Sequence, residues 1–113
     1  MTLDAARAYA RAAAEHGSAM DRGYHKKSNV AYDLLMRALA ELRASADLGR
    51  STLTELLQHE DPHVRCSAAT HLLPLDDAAA TRTLEALVSN PPFVGFNAEM
   101  VLREWKAGRL KIP

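Results

Sequence analysis

Cys66 is the chain's single cysteine, and it directly follows Arg65, whose charge favours a thiolate. With His59, His63 and His71 nearby in sequence, a Cys–His nucleophile is the most reactive arrangement these residues offer. The plainer reading is a small thiol filling core space on an amphipathic helix. His59, Glu60, Asp61 and His63 form a second grouping, all of metal-ligating types. A helical two-histidine zinc site needs both imidazoles on one face, and Asp61-Pro62 breaks the helix between them; no cysteine pair supplies further ligands. The cluster therefore reads as a solvated turn. Asp76 and Asp77 have the composition of a general acid and base, but just after Pro74 they more simply cap a helix beginning near Ala78. No glycine-rich phosphate loop or Ser-His-Asp order is present. These residues nominate no catalytic group, metal or cofactor.

The elements that must position these groups are helical throughout. Leu53, Leu56 and Leu57 make one apolar face. Asp61 is a side-chain N-cap and Pro62 stands at the first helical position, where a missing N–H is harmless. Val64, Ala68 and Leu72 then recur every four residues. This stretch resembles a HEAT repeat, whose second helix opens with Asp-Pro and continues with Val-Arg, two alanines and a leucine. That resemblance implies an all-α, HEAT-like α-α superhelix of about three antiparallel helix pairs, used as a binding scaffold. In such packing Arg65 reaches an acidic or capping group of a neighbouring repeat; Asp61, Pro62, Arg65 and Asp77 are thus given structural roles.

One helical domain over residues 1–113 is expected. Its first pair occupies 1–46: an alanine-rich helix from about Leu3 to Met20, a loop Gly-Tyr-His-Lys-Lys-Ser, and a helix from about Asn29 to Arg43 capped by Ser28 or Asn29. On that second helix Val30, Ala31, Leu34, Leu35, Ala38, Leu39 and Leu42 form a wide apolar arc, which suggests packing on two sides. After a break with Gly49 as a C-terminal cap and Ser51 or Thr52 as the next N-cap, a HEAT-like repeat covers 51–73. A degenerate copy covers 77–107: Leu84, Leu87 and Val88 fall on Leu53, Leu56 and Leu57, and Pro92, Val94, Ala98 and Leu102 on Pro62, Val64, Ala68 and Leu72. Arg65 becomes Gly95 there. Residues 108–113 are a tail.

The chain also resembles the bacterial family known as domain of unknown function 2019. The resemblance runs from about Tyr24 to the C-terminus and rests on Asn29-x-x-Tyr32-Asp33, Arg50 with Leu53 and Leu56, Asp61-Pro62-His63-Val64-Arg65 with Ala68-Ala69, and Leu102-Arg103-Glu104-Trp105 before Gly108. It implies a small all-α HEAT-like fold without an established activity. Small bacterial proteins of this kind include candidate immunity proteins that bind and silence a toxin.

Composition narrows the function classes. With 14 basic and 14 acidic residues the chain lacks the electrostatic footprint of a protein whose main ligand is a phosphate backbone. A single cysteine excludes an intrachain disulfide. Asp4, Arg7, Arg11 and Glu15 interrupt the alanine run, so it is no signal peptide, and a cytoplasmic protein without membrane contact is expected. The polar faces of the second helix of each pair are the candidate partner surface: Asp33, Arg37 and Glu41; His63, Ser67, Thr70 and His71; Asn97, Glu99 and Arg103. Their mixture of acid, base and histidine suits a protein partner, a toxin domain being the most concrete. The alternatives are a nucleic-acid binder, if Arg7, Arg11, Arg22, Lys26 and Lys27 cluster, and a homo-oligomer assembled through Tyr24, Phe96 and Met100.

Overall fold

The computed structural model describes residues 2–89 and 93–113. Among these, six α-helices and no strand are found: α1 (Thr2–Arg22), α2 (His25–Arg43), α3 (Arg50–Leu56), α4 (Pro62–Leu72), α5 (Asp77–Leu87) and α6 (Phe93–Lys106). The Asn90-Pro91-Pro92 turn, and with it Pro92 of the repeat comparison, lies outside the described residues. The chain divides into two compact units, Met1–Thr52 and Leu53–Pro113.

The first unit is a hairpin of α1 and α2. Ala5, Tyr9, Ala12, Ala13 and Ala19 are buried at helical spacing, and the small side chains of the four alanines let α2 come close. Across from them Ala31, Leu35, Ala38, Leu39 and Leu42 are buried. The turn is shorter than the sequence suggests. Gly23 adopts φ 73°, its N–H bonds to the Met20 carbonyl and that of Tyr24 to the Ala19 carbonyl, a pairing that ends α1 with a left-handed residue. α2 then starts at His25, so most of the expected Gly-Tyr-His-Lys-Lys-Ser loop is helix. Neither Ser28 nor Asn29 is its cap. Ser28 is buried at 4% exposure, with its hydroxyl 3.2 Å and its carbonyl oxygen 3.1 Å from His16 Nδ1. The His16 ring also lies tilted against Tyr32, centroids 5.6 Å apart. The apolar arc of α2 is narrower than expected, because Val30 and Leu34 are exposed.

Asp47 organises the break after α2. Its carboxylate accepts from the Ser45 hydroxyl at 2.9 Å, the Gly49 N–H at 3.1 Å and the Ser51 N–H at 3.0 Å. Asp47, and not Ser51 or Thr52, therefore takes up donors at the start of α3. The Ser51 N–H, followed by the Ser51 and Ser45 hydroxyls, holds its carboxyl down at about 2. Leu48 and Gly49 both have positive φ, 59° and 82°. A Cβ on Gly49 would stand 3.0 Å from Leu42 Cβ, so this position requires glycine for space as well as for conformation.

In the second unit α4, α5 and α6 pack together around Leu53, Val64, Leu72, Leu84 and Ala98, each at 0% exposure. Full burial of one such leucine contributes about 2 kcal/mol. Asp61 caps α4, accepting the His63 N–H at 2.8 Å, with Pro62 opening the helix. Asp76 is the cap of α5, accepting from the Ala79 N–H at 3.3 Å. Asp77, the other member of the pair expected to cap, sits in the first turn and accepts instead from the Thr81 hydroxyl at 2.7 Å and the Trp105 indole N–H at 3.1 Å. α6 stops at Gly108, φ 73°. Past it the Arg109 and Leu110 N–H groups return to the Glu104 carbonyl, and the Arg109 guanidinium pairs with the Glu104 carboxylate at 2.8 and 3.1 Å.

Candidate functional site

Cys66 is enclosed by its own unit at 3% exposure. Asn97 Nδ2 on α6 lies 3.5 Å from its Sγ. Burial pushes the thiol up to about 11, since a thiolate there would lose its hydration. The neighbouring guanidinium does not offset this. Arg65 turns back toward the segment between α3 and α4 and donates through Nη1 to the carbonyls of His59 at 2.7 Å and Glu60 at 3.0 Å. It therefore takes up two carbonyls just before α4, and the expectation that it reaches an acidic or capping group of a neighbouring repeat is corrected. His59 is engaged as well, its Nδ1 accepting the Asp61 N–H at 3.0 Å. Among the described residues no group of three His, Cys, Asp or Glu side chains comes together at metal-binding distance.

The ten proposed partner-binding residues fall into distinct environments. His71 is 6% exposed and belongs to the core, so it is no surface contact; the helical projection put it on the polar arc of α4, but α4 is covered on more than one side. Thr70 turns its hydroxyl onto the Cys66 carbonyl at 2.8 Å, an ordinary back-bond within the helix. His63 and Ser67 are half-buried and have polar or electrostatic partners. Asn97 is exposed on α6 yet directs its amide at Cys66. Glu99 and Arg103 are exposed and 3.8 Å apart, one turn from each other, and Arg103 also approaches Met100 Sδ at 3.9 Å. Asp33, Arg37 and Glu41 are exposed on α2 in the first unit.

Two of these, Arg37 and Glu41, line a groove of about 500 Å³ between α1 and α2. Ala5, Ala8, Ala12, Leu34 and Ala38 form its apolar lining, and Asp4, Arg7, Arg11, Glu15, Arg37 and Glu41 stand along it. Leu34 keeps 46% of its surface exposed there, and Val30, one turn earlier, 61%. Among the described residues no ion pair closes across the groove. The four groove residues of α1 were legible as a signal: Asp4, Arg7, Arg11 and Glu15 follow one another at three- and four-residue steps, the spacing of one helix face. In the sequence they stand only as charges interrupting an alanine run, with no neighbouring helix to make them one side of a groove.

The sequence profile of the family described as domain of unknown function (DUF2019) matches residues 4–105. The chain belongs to that family. The match begins well before Tyr24 and ends at Trp105, short of Gly108, so in this DUF2019 protein α1 from Asp4 onward and the whole groove lie inside the family segment. No curated protein matches the chain. Among solved structures, this DUF2019 protein is similar to the crystal structure of the protein RPA1889 from Rhodopseudomonas palustris CGA009, at 26% identity and a TM-score of 0.88, over 98% of this chain and 93% of that one. No helix among the described residues is long and apolar enough to cross a membrane.

Proposed function

We propose that this protein is a non-catalytic, HEAT-like protein-binding module of the cytoplasm, of the immunity type that occludes a toxin domain. The observation that carries this reading is the α1–α2 groove, where Leu34 and Ala8 stay exposed between charged side chains that close no ion pair with one another. Charges held in this way around apolar surface have complementarity to offer a second macromolecule. The reactive residue types, by contrast, are committed elsewhere: the Cys66 thiol is buried and protonated, and Asp61 and Asp76 serve as caps. For the HEAT-like repeat, Val64 and Val94, Ala68 and Ala98, and Leu72 and Leu102 are buried in equivalent positions on α4 and α6. Leu53 and Leu84 agree on α3 and α5, whereas Leu57 is buried and Val88 is 40% exposed.

Nucleic-acid binding is the second reading. Its support is the run Arg22, Tyr24, His25, Lys26 and Lys27 at the hairpin turn, all exposed, with Lys27 Nζ 5.5 Å from the Tyr24 ring centroid. Arg7 and Arg11, however, stand in the groove among three carboxylates.

Affinity capture from native lysate with wild-type protein and an Arg37→Ala/Glu41→Ala variant tests the proposal, with mass spectrometry for proteins and absorbance for nucleic acid. One protein captured in near-stoichiometric amount by wild type and lost from the folded variant is expected. Recovery of nucleic acid alone would transfer support to the second reading.

A further inference from the structure

The α1–α2 groove has a charge order. The short turn at Gly23 makes the helices antiparallel, and the His16–Ser28 contact sets their register, so Arg7 comes level with Arg37 and Asp4 with the turn containing Glu41. Along α1 the groove therefore runs acidic at Asp4, basic at Arg7 and Arg11, and acidic again at Glu15, over a rise of about 16 Å or three helical turns. On the α2 side Glu41 repeats the acidic end and Arg37 the basic centre. Ala5, Ala12 and Ala38 at the groove floor are already buried in the hairpin, so small Ala8 and bulky Leu34 are the exposed apolar contacts left for a third helix.

We propose that this groove receives an amphipathic helix of a different protein, carrying the inverse order of basic, acidic, acidic and basic side chains at one-turn steps. The inference rests on the protein-binding reading and specifies the partner's chemistry. The acidic pair of the incoming helix meets Arg7, Arg11 and Arg37, whose planar guanidinium groups bind carboxylates in bidentate fashion. Its flanking basic residues meet Asp4 with Glu41 at one end and Glu15 at the other. Two competing occupants are disfavoured by the same order. Acidic–basic–basic–acidic reads alike in both directions, so a second copy docked α1 on α1 in register sets like charge against like. A phosphate backbone meets as many carboxylates as guanidinium groups and gains no net attraction.

The test uses a capped helical peptide with Lys, Glu, Glu and Lys at the spacing of Asp4, Arg7, Arg11 and Glu15, alanines and one leucine on the same face, and a charge-inverted twin. Fluorescence anisotropy against the full chain should show a preference of about tenfold or more for the first peptide, shrinking as salt rises, since several exposed pairs each contribute a small factor. An Arg7→Glu/Arg11→Glu/Arg37→Glu variant should bind the inverted twin better than wild type does, a gain that misfolding cannot produce. Equal binding of the two peptides, binding of neither, or displacement by a single-stranded oligonucleotide would overturn the proposal. So would self-association that the triple variant abolishes. Lysate capture that survives those same three substitutions would sink the groove assignment alone and leave protein binding through another face standing.

Discussion

Trp105 on α6 donates its indole N–H to the Asp77 carboxylate at the start of α5, 3.1 Å away and 28 residues earlier in the chain. This bond, with the Thr81 hydroxyl, keeps the Asp77 carboxyl below its ordinary range; the Thr81 bond is the larger cause. It also places the chain's single tryptophan beside a titrating group. A carboxyl lowered in the folded state contributes stability above its unfolded value and loses it as pH falls through the folded one. Tryptophan emission should therefore shift in acid, below the usual aspartate range, and Asp77→Asn should remove that step while the protein stays folded at pH 7. An unchanged acid transition in the variant would refute the assignment.

Asp47 gives a second, independent acid response. Its carboxyl titrates at about 2 against an ordinary 3.8, so its contribution is complete above the ordinary value and disappears between the two. Thermal midpoints of wild type and Asp47→Asn should differ at neutral pH and converge toward pH 2, the wild type losing the difference in that interval. Parallel pH profiles would show that the three donors onto Asp47 do not govern the loop.

Cys66 should be silent in the native protein. With the thiol buried and raised to about 11, an aromatic disulfide reagent at pH 8 should label it only at the rate of unfolding, and at once in denaturant. Fast labelling of the native state would reopen the nucleophile reading.

Gly49 and Gly23 separate space from conformation. Both have positive φ, but a Cβ on Gly23 meets nothing within 4 Å, whereas one on Gly49 meets Leu42 side-chain and backbone atoms at 3.0–3.2 Å. Gly23→Ala should cost about 1 kcal/mol from backbone strain and Gly49→Ala about 2–3 kcal/mol or more. Equilibrium denaturation with an unchanged slope checks the order.

Arg65→Met should lower stability by about 1–3 kcal/mol, because the His59 and Glu60 carbonyls lose their donor, and Arg65→Lys should recover only part of it. Partner capture should persist in whichever variant stays folded. Loss of capture from a fully stable variant would move Arg65 from the scaffold to the binding surface.

Local signals determined much of this protein. Asp61-Pro62 announced the start of α4, the Asp76-Asp77 pair that of α5, and the four-residue recurrence of Val64, Ala68 and Leu72 the buried face, because caps and helical faces depend on residues within one or two turns of each other. An all-α chain follows from those signals alone. What only the tertiary structure decided is which polar groups face one another. Ser28 looks like a cap and instead meets His16 from inside the hairpin; His71 looks like surface and is core; Arg65 satisfies carbonyls behind it where an acidic neighbour was expected. Val30 and Leu34 read as packing residues and stay exposed beside the groove. The helical period assigns an angle to each side chain, but burial depends on what the fold brings against that angle. For that reason Asp4, Arg7, Arg11 and Glu15 became a candidate surface only once α2 lay beside them.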